Sequence, residues 1–262
     1  MPAKHPEHAD STKRHKAERR HRRADRDDRG GWQVASMTSG AVGPVVVVPS
    51  MDDVMAAMAA LPKQLDWETL GPDVLPVLPR LRPLPPGSPD PIQILVPPGI
   101  PVRFGVDAGP MFLSVHRGML DDWDLGPAEL LAAALDNLRR RAADVRVRDV
   151  ASQRVGGVTV RALQSGTSSG SALVLAPDEL VRLFGTGPQV FIAPMRDLLL
   201  SLPLDADPGL AWDLYDVFAS QDPSCLPPMA FALRDGRVTV EPLEPDAIGP
   251  WPGDAGGSSR HH

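Results

Sequence analysis

The chain has 262 residues and a formal net charge of −6 at pH 7, a length that suits one large domain or two small ones. Between Gly31 and Arg260 it contains one histidine (His116), one cysteine (Cys225) and one lysine (Lys63). Metal sites built from several His and Cys ligands, and nucleophiles activated by histidine, need groups that this part of the chain lacks. We therefore expect no cofactor. A single cysteine cannot form an internal disulfide, which indicates a reducing compartment.

Charge is distributed unevenly along the chain. Residues 1–31 hold ten of the 27 Lys and Arg against six of the 33 Asp and Glu, a net of +4, so the rest carries 17 against 27, a net of −10. Residues 1–36 have almost no large apolar side chains and are predicted to be a disordered basic tail. An arm that binds nucleic acid is the alternative, which the interleaved acids and the lack of an aromatic among the arginines weaken.

The remainder of the chain is acidic and is expected to repel nucleic acid and anionic membranes. No apolar run approaches the ~20 residues that a membrane helix requires, so we expect a cytoplasmic protein without membrane association. The excess of Arg over Lys, with abundant Ala, Val, Gly and Pro, is typical of proteins from GC-rich bacterial genomes.

Residues 37–71 are predicted to hold a short strand and a helix. Val45–Val48 fit the strand. Ser50 then offers an N-cap oxygen, and the aspartates that follow it suit the positive end of a helix dipole, so we expect a helix over about 51–61. Its methionines recur at helical spacing and are interpreted as core filler rather than as a binding face.

Eleven of the thirty residues over 72–101 are proline, a density that no ordinary helix tolerates. The segment is therefore predicted to be an extended, polyproline-like linker that wraps the surface. Arg80, Pro83 and Pro86 match the R-x-x-P-x-x-P spacing of ligands for aromatic-grooved modules. Docking of such a partner is the alternative interpretation, although matches of this kind arise easily in a proline-rich chain.

An α+β core domain is predicted over 102–243, with one strand before it and a disordered tail over 244–262. Because the strands come in hairpin groups as well as alternating with helices, we expect a mixed or antiparallel sheet with helices packed on it. Hydrophobic periodicity, turn residues and helix caps predict strands at 92–96, 102–106 and 111–116, a helix from Gly126-Pro127, and a hairpin of 145–150 and 158–163. They further predict a strand at 172–175, a helix at 177–184 and a strand at 189–193, after which residues 198–202 either continue the strand or form a turn of helix. The last predicted elements are a helix from Asp207-Pro208 and a hairpin of 229–233 and 237–243 across Asp235-Gly236.

The stretch MLDDWDLGPAELLAAALDNL, residues 119–138, resembles a segment of the bacterial YtpQ-like family of unknown function, in which an acidic turn precedes a helix ending in A-L-x-N-L. Ser171-Ala-Leu-Val-Leu175 and Gln189-Val-Phe-Ile-Ala-Pro-Met-Arg-Asp-Leu198 are similar to later segments of that family. The resemblance covers about 111–243 and omits the proline-rich region and the tail. It implies a shared fold and assigns no catalytic residue.

Arg196 and Asp197 directly follow an apolar predicted strand, where α/β proteins often present functional side chains. They could clamp a carboxylate or phosphate, because guanidinium binds such oxyanions through two parallel N–H bonds. The alternative, which we favour, is an internal ion pair that pins the end of the strand.

Two further candidates lie close together in the sequence. Asp121, Asp122 and Asp124 could gather a hard cation such as Mg²⁺, although carboxylates just before a helix are also ordinary dipole chemistry. His116 could act as a general base oriented by one of these carboxylates. A lone histidine with no nucleophile motif nearby is more often structural.

The leading hypothesis is a non-enzymatic cytoplasmic domain for protein interaction or regulation, since the side chains of common catalytic machinery are scarce. The first alternative is a hydrolase or small-ligand binder, metal-independent or Mg²⁺-dependent, in which Arg196, Asp197, His116 and the 121–124 carboxylates converge on one pocket. The second is association with nucleic acid through the basic tail.

Overall fold

The computed structural model describes residues 50–61, 65–81, 87–108, 112–165, 169–221 and 225–243, and all of them belong to one compact unit. The predictions made for residues 1–49 and 244–262, among them the two tails and the Val45–Val48 strand, lie outside the described residues. Pro83 and Pro86 of the proposed ligand motif lie outside them as well.

The described chain forms six α-helices and ten strands. The helices are α1 (Met51–Ala59), α2 (Trp67–Leu70), α3 (Arg117–Trp123), α4 (Pro127–Ala142), α5 (Pro177–Phe184) and α6 (Pro208–Ala219). The strands are β1 (Val74–Val77), β2 (Gln93–Val96), β3 (Ile100–Asp107), β4 (Phe112–Ser114), β5 (Ala151–Val155), β6 (Val158–Gln164), β7 (Gln189–Met195), β8 (Leu198–Pro203), β9 (Met229–Arg234) and β10 (Arg237–Pro242). Every pairing is antiparallel, which confirms the predicted α+β class. None of the helices in the described ranges has the length and apolarity that a bilayer crossing needs.

Four strands form a small sheet in the order β1-β3-β2, with β4 also paired to β3. All four residues of β1 are buried, and β1 pairs with β3 from Val74↔Val106 to Val77↔Arg103. This burial corrects the prediction of a linker over 72–101, because β1 and β2 belong to the same sheet as β3. Proline fits here because β1 lies at an edge of the sheet, where a missing N–H breaks no ladder.

Six strands form the larger sheet in the order β10-β9-β7-β8-β6-β5. One face carries an apolar cluster that includes α6, and the other face shares a cluster with α4, α5 and the small sheet. All seven residues of β7 are buried, as a strand covered on both faces must be. The core therefore consists of two layers, one on each face of this sheet.

Local chemistry explains where the elements begin and end. Ser50 caps α1 through a reciprocal capping box with Asp53. Pro127 occupies the first turn of α4, and the Glu129 carboxylate accepts the Gly126 N–H at 2.8 Å. The hairpin of β9 and β10 turns at Asp235-Gly236, where both residues have positive φ, 49° and 72°. These helix starts and this turn confirm the corresponding predictions.

Two predicted strands are wrong. Val147–Asp149 form a 3₁₀ turn, so β5 begins only at Ala151 and not at 145. The apolar run Ser171–Leu175 is a fully buried 3₁₀ helix rather than a strand. A short apolar run carries no periodicity that separates a buried strand from a buried helical turn, which is why the sequence pattern misassigned it.

The interpretation of the α1 methionines as core filler is also wrong. Not one residue of α1 is buried, and Met51, Met55 and Met58 are 74%, 57% and 51% exposed. The spacing that predicted the helix was correct. It could not show whether the apolar side chains face the core or the solvent.

A buried amide joins α4 to the small sheet. The Asn137 side chain is 4% exposed and donates to the carbonyls of Gly71 and Val74 at 2.7 and 2.8 Å. Its oxygen accepts a hydrogen bond from Arg140 one turn later. All polar atoms of this side chain are therefore satisfied inside the core.

Replacing Asn137 with alanine should lower the free energy of unfolding by about 1–3 kcal/mol, because two buried carbonyls lose their donor. Asp136→Ala, on the exposed side of the same helix, removes only a surface pair with Arg139 and should change stability by at most about 0.5 kcal/mol. Urea unfolding of both variants measures the difference. Equal effects at the two positions would contradict a structural role for this amide.

Candidate functional site

Arg196 and Asp197 form the turn between β7 and β8. The residues on either side of them, Met195 and Leu198, are paired across the two strands. The prediction that they follow an apolar strand is confirmed. Both side chains are half-buried, so the turn is packed against other elements of the molecule.

Backbone hydrogen bonds fix this turn to the chain on either side of the loop that follows β6. The Ser165 N–H donates to the Asp197 carbonyl at 2.8 Å, and the Ser171 N–H donates to the Arg196 carbonyl at 2.9 Å. The Gln164 side chain adds a hydrogen bond to the Asp197 carboxylate at 3.1 Å. The turn and the two ends of the loop therefore form one unit.

Backbone N–H groups at the end of the loop donate hydrogen bonds to acceptors within this unit. The Ser165 hydroxyl accepts the N–H groups of Gly170 and Ser169 at 3.0 and 3.4 Å. Together with the Ser171 N–H, these donors are engaged by the protein itself. The described part of the loop is therefore built as a structural connection.

The Arg196 guanidinium stacks on Phe112 of β4, with its central carbon 4.5 Å from the ring centroid. A cation over an aromatic face at this distance contributes roughly 0.5–2 kcal/mol. Because Phe112 belongs to the small sheet and Arg196 to the large one, the contact joins the two sheets. These contacts favour the structural interpretation of Arg196 and Asp197 over the clamp.

Phe112, which contacts Arg196, begins β4, whereas His116 follows the opposite end of that strand. His116 occupies the N-cap position of α3 without a side-chain cap, forms an isolated bridge with Pro91, and its ring lies near Gly118. It lies four residue steps along extended chain from Phe112, a distance of about 13 Å. This placement does not support the convergence of His116 with Arg196 that the enzyme hypothesis requires.

The three aspartates lie at the end of α3, a helix that the sequence analysis did not anticipate. All three are exposed, and Asp124 ends the helix in the left-handed conformation at φ 52°. Asp121 and Asp122 therefore occupy the negative end of a helix dipole rather than the turn before one. Within the described ranges, no group of three or more His, Cys, Asp and Glu side chains is arranged to hold a metal ion.

Cys225 is half-buried beside Tyr215. The Tyr215 hydroxyl donates to the Leu226 carbonyl at 2.6 Å, and the Cys225 carbonyl accepts the Leu81 N–H at 3.0 Å. Burial, then the charges of Cys225 and Asp216, raise the pKa of Tyr215 to about 12. This corner ties the chain after α6 to Leu81 within the proline-rich segment.

Two features were missed by sequence reasoning. One is the exposed methionine stripe of α1, for which no sequence signal exists because the spacing is the same in a packed helix. The other is Arg234, whose Nε and Nη2 atoms are buried with no hydrogen-bond partner in the described structure. A signal for it was present: the Arg-Asp-Gly-Arg sequence of a two-residue hairpin places Arg234 and Arg237 opposite each other.

Comparison with protein-family models, with curated proteins and with solved structures finds no match to this chain. The resemblance to the YtpQ-like family therefore stays a prediction. The residues that carry it include Asn137, Ser171–Leu175 and the Arg196–Asp197 turn, and all of these make the internal contacts described above.

The close packing of the loop on the turn gives a testable consequence. A Cβ added at Gly170 would lie 2.5 Å from the Asp197 carbonyl oxygen, so Gly170→Ala should lower the free energy of unfolding by about 1–3 kcal/mol. Gly187→Ala is the matched control, because a Cβ there meets nothing within 4 Å and the residue has no positive φ. It should be neutral or stabilising by up to about 1 kcal/mol in the same urea titration. A Gly170→Ala variant with the same free energy of unfolding as wild type would show that the turn is loosely packed.

Tyr215 is the only tyrosine of the chain, so tyrosinate absorbance reports its ionisation directly. The folded protein holds the phenolic proton up to about pH 12, whereas a tyrosine at its ordinary pKa of 10.0 loses it earlier. The free energy of unfolding should therefore fall as the pH rises from about 10 to 12, and Tyr215→Phe should lack this fall. Below pH 10 the variant should be less stable by about 1 kcal/mol from the lost hydrogen bond. Titration of the native phenol near pH 10 would contradict this account.

Proposed function

We propose that the protein is a non-enzymatic protein-interaction domain that docks its α1 helix into an apolar groove of a partner protein. The observation that carries the proposal is that α1 has a complete N-terminal capping box and yet buries none of its nine residues. Exposed apolar side chains that cluster on one element mark interaction sites more often than scattered ones do.

The length of α1 supports this interpretation. A helix of nine residues lies below the ~12–15 residues at which isolated helices become marginally stable in water. The Ser50 and Asp53 capping box fixes its start, with hydrogen bonds of 3.1 Å in both directions. The capping box determines where the helix starts. Burial of its apolar side in a partner would supply the stabilisation that packing against the rest of the domain does not.

The pattern on α1 fits the helix-in-groove mode of recognition. Met51, Met55 and Met58 follow one another at i, i+4 and i+7, so they lie along one side of the helix. Methionine is flexible and polarisable, and it adapts to grooves of differing shape. Val54 and Ala57 on the neighbouring side are half-buried, which leaves the methionines as the accessible stripe.

Charge and size indicate the chemistry of the partner. Asp52 and Asp53 lie in the first turn of α1, and its last turn carries no basic residue. We therefore expect a groove with lysine or arginine beside the end that receives the N-terminus of the helix. A second copy of this chain suits the site less well: two such helices, each about 14 Å long, repel through these carboxylates and present too little area for a stable interface of about 1,000 Å².

The chain from Leu65 onward is fixed to the body. The Trp123 indole N–H donates to the Leu65 carbonyl at 2.6 Å, and its ring packs on Trp67 at 5.3 Å between centroids. Asp66 caps α2 through the Thr69 N–H at 2.8 Å. A partner bound to α1 would therefore be held close to the core rather than at the end of a long tether.

The proposal predicts that the combined substitution of Met51, Met55 and Met58 by glutamine abolishes partner binding without unfolding the domain. Affinity capture from the native cell extract, with quantitative mass spectrometry, should recover at least one protein with wild type whose yield drops more than tenfold with the triple variant. The thermal midpoint should be unchanged within about 2 °C, because none of the three side chains is buried.

A matched control keeps this experiment specific. Val217→Gln and Leu95→Gln change apolar side chains that are 50% and 71% exposed on other elements, and they should capture the same proteins as wild type. Purified partner must then bind wild type and the controls with equal affinity in solution. Undiminished binding by the triple variant would refute the docking role of α1.

A further inference from the structure

Several arginines among the described residues direct their N–H groups at acceptors within the fold. Arg161 donates to the Phe184 carbonyl, Arg154 donates to the Gly157 carbonyl at 2.8 Å, and Arg182 donates to the carbonyls of Val145 and Ala142 at 2.9 and 2.8 Å. Arg234 at the end of β9 differs from them. Its Nε and Nη2 are buried without a hydrogen-bond partner among the described residues.

The two unpartnered atoms of Arg234 belong to one edge of the guanidinium. Nε–H and Nη2–H point in parallel from this edge, and their spacing matches two oxygens of a carboxylate or phosphate. Native proteins pair nearly all their buried polar groups, and an unpaired cationic edge is strongly unfavourable. An acceptor that fitted this edge would present two oxygens and a negative charge.

A second cation faces the same position. Arg237 is the direct cross-strand partner of Arg234, so the two side chains project from the same face of the sheet with Cβ atoms about 5 Å apart. The Asp235-Gly236 turn holds this register, because both of its residues adopt the positive φ that a two-residue hairpin needs. Two guanidinium groups held opposite each other repel unless an anion lies between them.

The chain segment at this end of the sheet carries two aspartates, Asp205 and Asp207. Arg234 lies on the sheet face covered by α6, at the end where Leu204 donates its N–H to the Pro188 carbonyl at 3.3 Å. Asp207 is engaged as the N-cap of α6, accepting from Gly209 at 2.9 Å, and Asp205 is exposed. Within the described residues, neither carboxylate forms an ion pair with Arg234. These two carboxylates therefore do not supply the acceptor that the Arg234 edge lacks.

We propose that Arg234 and Arg237 bind one oxyanion group, a carboxylate or a phosphate, on a small molecule. The Nε–Nη2 edge of Arg234 holds two of its oxygens, and Arg237 closes over it from the opposite strand. Arg237 is exposed, so its side chain is not held in place by packing in the core. The site is independent of α1 docking, because it lies on another element and uses other chemistry.

Thermal unfolding of the full chain in sodium phosphate or sodium acetate, at ionic strength matched with sodium chloride, tests the proposal. The midpoint should rise by about 3–6 °C when the binding anion is present at about ten times its Kd. A rise in acetate alone identifies a carboxylate site, and a rise in phosphate alone identifies a phosphate site. No rise beyond that in chloride overturns the proposal.

Substitutions assign the effect to the site. Arg234→Met should abolish the rise, and Arg237→Gln should reduce it. Arg103→Met is the control, since Arg103 is also a half-buried strand arginine but donates to Gln93 at 3.0 Å, and it should keep the full rise. The Arg234 Nε–H resonance should shift on titration with the anion in wild type. A rise that persists in Arg234→Met, or an unmoved resonance, overturns the proposal.

Discussion

Burial of β7 on both faces is the constraint on which the rest of this fold depends. All seven residues of the strand are buried, which requires one apolar layer from α6 and a second from α4, α5 and the small sheet. Pro194 fits inside this strand because the pairing with β8 is irregular between Ile192 and Met195, where a bulge leaves no ladder donor to lose. Its carbonyl instead accepts the Leu226 N–H at 2.9 Å, which secures the segment that leads into β9.

The one polar residue of β7, Gln189, shows how this buried strand meets the end of a helix. Its amide nitrogen donates to the carbonyls of Phe184, Gly185 and Gly187 at 3.1–3.2 Å, and its oxygen accepts from Ser201 at 2.6 Å. The bond to Phe184 satisfies a carbonyl in the last turn of α5 that has no intrahelical donor, and the other two satisfy carbonyls just beyond the helix. A polar side chain in the core is therefore tolerated because both of its ends are hydrogen-bonded.

Sequence reasoning succeeded where the determining chemistry is local. The helix starts at Ser50 and Pro127 and the Asp235-Gly236 turn depend on residues within three or four positions, so they were predictable. The 3₁₀ form of Ser171–Leu175 was missed because it depends on burial by distant elements. The same holds for the candidate site. The position of the Arg196–Asp197 turn followed from the strand before it, but its contacts with Phe112 and Gln164, which favour a structural role, join residues far apart in the sequence.

Because lysine is scarce, arginine is the main cation that stabilises the described fold. Its abundance therefore has to be interpreted from the contacts that each side chain makes. Arg182 both pairs with Glu179 at 2.6 Å and donates to two carbonyls at the end of α4 and just beyond it, a task that needs the several donors of a guanidinium. Abundant arginine is therefore weak grounds for a nucleic-acid or phosphate site in this protein, since such side chains are engaged in the fold. Among the described residues, Arg234 is distinguished by two adjacent buried donors, Nε and Nη2, that have no internal acceptor, a property that its charge alone does not indicate.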